Sequence, residues 1–310
     1  MDKPAALALI GPTASGKTAA ALQLAQKIPL EIISMDSALV YRGMDIGTAK
    51  PDAGEQAAVP HHLIDIRTPC ESYSAAEFVD DCVRLVREIR ARGRLPVIVG
   101  GTMMYYHALS SGLNELPPAN ETIRSQLRAE KERDGLAALY AQLQQCDPIT
   151  AARLQANDSQ RIERALEIFR ISGTPMSVLL ENHTQHTPLQ LHTLALLPEP
   201  RAQLHQTIAR RFMRMLEQGF VEEVRHLQRL YPELDPELPS MRAVGYRQAW
   251  DFLAEKTDHT TFIAQGIAAT RQLAKRQITW LRRFAIADSV NPYDAEANIT
   301  ERLYAMAQRI

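Results

Sequence analysis

Ala6-Leu-Ala-Leu-Ile10, followed at once by Gly11-Pro-Thr-Ala-Ser-Gly-Lys-Thr18, decides the fold. Five apolar residues run into a loop whose Gly11, Gly16, Lys17 and Thr18 fill the spacing G-x-x-x-x-G-K-[ST], and Lys17–Lys27 then reads as a helix. Strand, glycine loop and helix in that order are the context this motif requires. The glycines let backbone N–H groups turn inward around phosphate oxygens. The helix N-terminus adds partial positive charge, Lys17 adds a full one, and the Thr18 hydroxyl can ligate magnesium. Gly11, Pro12, Thr13, Ala14, Ser15, Gly16, Lys17 and Thr18 are therefore read as one site for a di- or triphosphate, with Thr18 as metal ligand and Mg2+ as cofactor.

Outward from this loop, short apolar runs alternate with helical stretches: Glu31–Ser34, His62–Ile66 before a helix over Ser74–Arg92, and Pro96–Gly100 before a helix over Thr102–Ser111. That rhythm specifies an α/β fold with a parallel sheet. The helix after Tyr73 opens on Ser74-Ala-Ala-Glu77, a capping box, and Gly93 stands where a left-handed C-terminal residue is wanted. Beyond Pro118 the strand signals stop. Leu116 to about Pro188 reads as helices of Ala, Leu, Gln, Arg and Glu, and Leu191–Pro198 as a returning strand. Helices are then expected over Arg201–Gln218, Gly219–Leu230, Tyr246–Leu253 and Thr261–Phe284, with Tyr231–Pro239 as a loop. The expected organisation is a P-loop NTPase-like parallel-sheet core, residues 1–115 and 189–310, carrying an all-helical insertion domain, residues 116–188.

Composition agrees with this class. Hydrophobic residues at 45% and charged residues at 23% exclude disordered and collagen-like chains. No apolar run nears the roughly 20 residues that span a bilayer, so neither membrane insertion nor export is expected. Thirty-five basic and 36 acidic residues argue against a chain coated with charge, yet Arg201–Arg283 holds 14 Lys/Arg against 9 Asp/Glu. That segregation permits a polyanionic partner. Cys70, Cys82 and Cys146 match neither a disulfide framework nor a zinc site, so a reducing, cytoplasmic setting is expected.

A P-loop that hydrolyses ATP places an Asp at the end of a neighbouring strand. Here the Pro96–Val99 strand ends in Gly100-Gly101-Thr102, which disfavours a motor or switch. Asp36, just past Glu31–Ser34, should face the same crevice as Lys17, because ligands collect at the carboxyl ends of parallel strands. It reads either as a general base or as a loop acid capping a turn with Ser37. The aperiodic Tyr41–Pro51 segment is either a site-building loop or a plain surface loop, with Arg42 and Lys50 as candidates to complete a phosphate cage. Arg161 and Arg164 share one helical face, which serves either as a salt-bridged surface or as an anion contact. In Arg271–Arg283, the cations Arg271, Lys275 and Arg282 oppose an apolar stripe of Leu273, Ile278 and Leu281. That stripe of charge meets either RNA phosphates or water.

GPTASGKT at Gly11–Thr18, ISMDSALVYRGMDIGTAKP at Ile33–Pro51, VGGTMMYYHAL at Val99–Leu109, DSQRIERALEI at Asp158–Ile168, RAVGYRQ at Arg242–Gln248 and TRQLAKRQITWLRR at Thr270–Arg283 together resemble the bacterial tRNA dimethylallyltransferases, also called tRNA isopentenyltransferases. The resemblance implies a P-loop core similar to small nucleoside kinases and a helical insertion that grips a tRNA anticodon stem-loop. It implies transfer of a dimethylallyl group from dimethylallyl diphosphate to the exocyclic amino nitrogen of the adenosine 3′ of the anticodon, in tRNAs reading codons that begin with U. Asp36 is then the base, Thr13 and Lys17 hold the leaving diphosphate, Thr18 the magnesium, and Arg211 a further diphosphate oxygen. RNA contacts carry over to Asp36, Ser37, Ala38 and Leu39; to Thr102 and Arg124; to Gln160, Arg161, Ile162, Glu163 and Arg164; and to Arg242, Ala243, Val244, Gly245, Tyr246 and Arg247. A monomer is expected. Many members carry Gln where this chain has Leu39, which offers apolar contact only. Met103 and Met104 also depart from the usual pattern and are expected to reshape the wall of the prenyl channel. Rival readings are a prenyltransferase acting on free adenine nucleotides, a small-molecule kinase and a non-catalytic RNA-binding module.

Overall fold

Residues 3–114, 116–181, 187–284 and 286–310 are described by the computed structural model. The first part of the chain runs β1 (Ala5–Ile10), α1 (Lys17–Ala25), β2 (Leu30–Met35), α2 (Ala53–Ala58), β3 (His61–His62), α3 (Ala75–Ala91), β4 (Leu95–Gly100) and α4 (Met103–Ser111). Five helices follow: α5 (Glu121–Asp134), α6 (Leu136–Cys146), α7 (Pro148–Arg153), α8 (Ser159–Ser172) and α9 (Met176–Glu181). The chain then continues through β5 (Gln190–Leu196), α10 (Arg201–Glu217), α11 (Phe220–Leu230), α12 (Tyr246–Leu253), α13 (His259–Leu281), β6 (Asp288–Val290) and α14 (Ile299–Ala307). It forms two compact units, Met1–Ser110 with Thr187–Ile310, and Ser111–His186.

In the first unit the described strands form a six-stranded sheet in the order β3-β2-β4-β1-β5-β6, with every pairing parallel. Side chains alternate across it. Ala6, Ala8, Ile10, Ile33, Met35 and Ile98 enter a core under α3, α4 and α10 to α13, whereas Leu7, Leu9, Ile32, Val97, Val99 and Leu194 enter a second core under α1 and α14. Burial on both faces accounts for strands that read as continuous apolar runs. The Ser74–Glu77 capping box forms as the sequence predicts, each side chain bonding the other's backbone N–H.

The predicted His62–Ile66 strand is corrected. Only His61–His62 pair with β2, because Leu63 and Asp65 adopt left-handed backbone (φ 62° and 56°) that no strand can carry. The segment instead turns back, its Asp65 and Arg67 N–H groups donating to the Leu39 and Val40 carbonyls. It thereby braces the loop that leaves β2. The helix α2, the edge strand β6 and α14 had no predicted counterpart. The last of these packs Leu303 and Met306 beside Leu24 of α1.

The second unit has its own small core of Leu127, Leu139, Leu143, Ile162, Ala165 and Leu166. Buried Asp147 caps α7 and accepts from the N–H and hydroxyl of both Thr150 and Ser177, so α7 and α9 share one carboxylate. The predicted boundary at Glu115 and the stretch 182–186 of the predicted insertion lie outside the described residues.

Phe78 of α3 is fully buried and stacked on Tyr105 of α4, with ring centroids 4.4 Å apart. Phe78→Ala is expected to lower unfolding free energy in urea by about 3–5 kcal/mol. A loss below about 1 kcal/mol would show that this layer is not close-packed.

Candidate active site

Parallel pairing brings the carboxyl ends of β1, β2 and β4 level: Ile10 lies beside Gly100, and Gly100 beside Met35. The loops after these three strands therefore open on one crevice, as expected for an open parallel sheet. A Cβ on Gly100 would stand 2.0 Å from the Met35 carbonyl oxygen, so only glycine lets β4 end this close to β2.

The crevice is lined by Thr13, Lys17 and Thr18 of the glycine loop, by Asp36 after β2, and by Arg211 of α10. Asp36 acts electrostatically on both cations and tends to hold their charge in place. Burial outweighs it at Lys17, whose ammonium is pushed down to about 8, with Arg211 repelling it further. Burial likewise lowers Arg211. The Lys17 ammonium donates to the Pro12 carbonyl (2.7 Å), and the Ser15 hydroxyl donates to the same oxygen (2.8 Å). Asp36 Oδ1 accepts the N–H of Ala38 at 2.8 Å, the turn that Asp36 was read as capping. Thr102 Oγ1 accepts the N–H of Ser37 at 3.0 Å and so fixes the residue beside Asp36. The apolar lining of the crevice is made by Ile208, Phe212 and Met215 of α10, Phe220 of α11, Val244, and Leu273 of α13.

The remaining expected site residues are dispersed. Leu39, Ala243, Val244, Gly245 and Tyr246 line the same crevice. Tyr246 is fully buried, with its hydroxyl on Glu223, and serves as wall; its place in the expected RNA-contacting run is corrected to that extent. Ile162 is corrected outright, being completely buried in the core of the second unit. In that unit Arg124 and Arg164 both bond the buried Glu167 carboxylate, while Glu163 accepts from Lys131. Among the described residues Arg161 reaches only Asp158, and it stays 72% exposed. Arg247 bonds the Pro236 carbonyl and Glu237. The phosphate-cage expectation for Lys50 and Arg42 fails. Buried Lys50 is spent on the Tyr41 carbonyl, Asp45 and Asp65, and Arg42 Nε donates to the Asp65 carbonyl. Met103 is packed in the core and Met104 is exposed, and neither lines the crevice.

Two residues that sequence reasoning passed over matter here. Gln277 of α13 is buried, accepts the Thr13 N–H (2.9 Å) and donates to the Gly101 carbonyl (2.8 Å), so it ties the glycine loop to the end of β4. Its signal was a polar residue at i+4 from Leu273 and i−4 from Leu281, on the face marked apolar. Glu223 of α11 bonds the Asp45, Ile46 and Gly47 N–H groups and carried no local signal at all.

Thr18 and Asp36 offer hard oxygen donors to a cation. Among the described residues there is no cluster of three His, Cys, Asp or Glu side chains that would cage one. Such a donor set suits magnesium, which keeps water and takes substrate phosphate oxygens.

The family model described as IPP transferase matches residues 39–284. The chain is 58% identical to a tRNA dimethylallyltransferase of Neisseria meningitidis serogroup C over 100% of its length and 99% of that protein's. It is 56% identical to one from Burkholderia ambifaria over 97% and 95%. Among solved structures it resembles the tRNA isopentenylpyrophosphate transferase of Bacillus halodurans (37% identity, TM-score 0.70, 99% and 97% covered). It also resembles a eukaryotic dimethylallyltransferase acting on tRNA (26% identity, TM-score 0.80, 98% and 78% covered). A glycine loop, a carboxylate and an apolar wall gathered at one end of a parallel sheet, in a chain with these relatives, mark the protein as a member of the IPP transferase family.

Proposed function

We propose that the protein transfers a dimethylallyl group from dimethylallyl diphosphate to the exocyclic amino nitrogen of the adenosine 3′ of the anticodon, in tRNAs reading U-starting codons, giving isopentenyladenosine. The observation that carries this reading is the mixed lining of the crevice. Its cations and glycine loop suit a diphosphate, and its apolar residues Ile208, Phe212, Met215 and Phe220 suit a short branched hydrocarbon. The names borne by the relatives supply the acceptor.

In this reading Lys17, the Thr13 side of the glycine loop and Arg211 bind the diphosphate and neutralise the charge that grows on it as the allylic C–O bond breaks, which is the larger electrostatic contribution. The adenine amino nitrogen forms the new C–N bond and gives its proton to Asp36, whose carboxylate the Ala38 N–H orients. Magnesium, held through Thr18 and diphosphate oxygens, would add positive charge beside the leaving group. The adenosine leaves the loop stack to reach the crevice, at a cost of a few kcal/mol. Asp36–Leu39, Thr102 and Arg242–Arg247 are the expected RNA contacts of the first unit. In the second, exposed Arg161 is the side chain best able to meet a phosphate, whereas Arg124 and Arg164 hold Glu167. The expected state is a monomer, and the free thiols Cys70, Cys82 and Cys146 suit the cytoplasm.

Incubation of unmodified tRNA with the protein, Mg2+ and dimethylallyl diphosphate, followed by mass spectrometry of the nucleosides, is expected to show isopentenyladenosine. In Asp36→Asn, single-turnover transfer with both substrates saturating is expected to fall by about 10²–10⁴-fold with much smaller changes in either affinity. A rate within about threefold of the parent would remove Asp36 as the base.

The lowered Lys17 ammonium also sets a pH limit. A cation lowered from 10.5 to about 8 is charged at neutral pH and loses its charge as pH rises through 8. The kcat/KM for the donor is expected to fall by about tenfold per pH unit above that point. In Lys17→Arg, whose guanidinium keeps its charge, the break near pH 8 should vanish. Its persistence in that variant would assign it to another group.

A further inference from the structure

The segment Asp45-Ile-Gly47 lies in neither helix nor strand, and its backbone N–H groups must find partners elsewhere. All three find one carboxylate. Glu223 Oε2 accepts the N–H of Asp45 (2.9 Å) and Ile46 (2.6 Å), and Oε1 accepts the N–H of Gly47 (3.2 Å) and the Tyr246 hydroxyl. Successive N–H groups aimed at one point form an anion-binding nest, and here the anion is supplied by the chain itself. An ionised carboxylate has about four lone-pair sites, and these four donors fill them.

What this nest holds is a wall of the crevice. Gly47, Thr48 and Ala49 face into it, and the Thr48 carbonyl accepts the Arg211 guanidinium at 3.1 Å. At Gly47 the backbone lies flush against two rings: a Cβ there would stand 2.2 Å from Phe220 and 2.6 Å from Tyr246. Both rings also line the crevice, and Tyr246 shares the Glu223 carboxylate. One side chain outside the crevice therefore fixes the carbonyl that aims Arg211 and the rings that border the apolar side. The charge is essential to this. An amide in its place would keep one acceptor oxygen but turn its own N–H groups toward two of the four donors.

We propose that Glu223 is a positioning residue for the transfer reaction: through the 45–48 segment it sets the place of Arg211, and so controls how tightly the diphosphate donor is held. This rests on the crevice being the donor site. Displacing an aligned group by about 1 Å can cost up to about 10²-fold, so Glu223→Gln is expected to raise the KM for dimethylallyl diphosphate by about tenfold or more, with a smaller fall in kcat and a tRNA KM within about twofold of the parent. Glu223→Asp keeps the charge but shortens the reach, and should fall between parent and Gln variant. In an Arg211→Ala background the Gln substitution should add less than about twofold to the donor KM, because the residue it acts through is gone.

A purely structural role would give a different result. Fewer molecules would be active, so kcat and Tm would fall while both KM values stayed at the parent's, and that outcome would overturn the proposal. Full additivity with Arg211→Ala would overturn it as well. If the Gln variant does not fold, the Asp variant gives the same readout, and an unchanged donor KM with a lowered Tm would decide against the proposal. Lys17→Ala is the control for the underlying reading. A raised donor KM in Lys17→Ala with none in either Glu223 variant refutes the role of Glu223 alone, whereas an unchanged donor KM in both refutes the crevice as the donor site.

Discussion

Parallel pairing of β1 with both β4 and β5 is the constraint on which everything else depends. Because every described strand runs the same way, each carboxyl end opens on the same edge, and loops that are distant in sequence become neighbours. The glycine loop, Asp36 and the Gly100-Gly101 strand end meet for that reason. The same pairing buries β1 on both faces, so the apolar character of Ala6–Ile10 and the placement of Lys17 share one cause. A strand exposed on one face would not have held the loop so firmly.

Burial then sets the chemistry. Taking Lys17 and Arg211 out of water weakens their hold on protons, and the Asp36 carboxylate partly restores it in both. A buried cation without a counter-charge is expensive. Here Asp36 supplies that counter-charge to both Lys17 and Arg211. The Glu223 nest follows the same logic with the signs reversed, since there the chain supplies the anion and the backbone supplies the donors.

Local signals were legible in the sequence. The apolar runs that became β1, β2 and β4, the glycine loop, and the Ser74–Glu77 capping box all depend on residues within a few positions of one another. His62–Ile66 shows where such reading stops, because its apolar alternation gave no sign that Leu63 and Asp65 would take left-handed backbone. Lys50 shows the same limit for charge. A lysine in a site-like loop invites a phosphate, yet two carboxylates and a carbonyl claim it first. The loop partners of Glu223 and Gln277 were illegible for a topological reason. The Asp45–Gly47 N–H groups lie 176 to 178 residues from Glu223, and Thr13 lies 264 from Gln277, and no spacing rule spans such distances. Arg161 and Arg164 look equivalent on one helical face, but only the fold shows that one is exposed and the other is spent on Glu167.

The bond from Thr13 to Gln277 has a consequence for how the molecule comes into being. Thr13 and Gln277 stand 264 residues apart, so on the ribosome the loop's Thr13 N–H waits through the synthesis of all that lies between before it meets its acceptor. The β1 strand likewise waits for β5. A nascent chain that stops short of α13 cannot complete the crevice, which Thr270, Leu273 and Gln277 of that helix line. Assembly of the site thus trails the motif by most of the distance between β1 and α13, and a message truncated before α13 yields a polypeptide with the motif written out in full and no lock upon it.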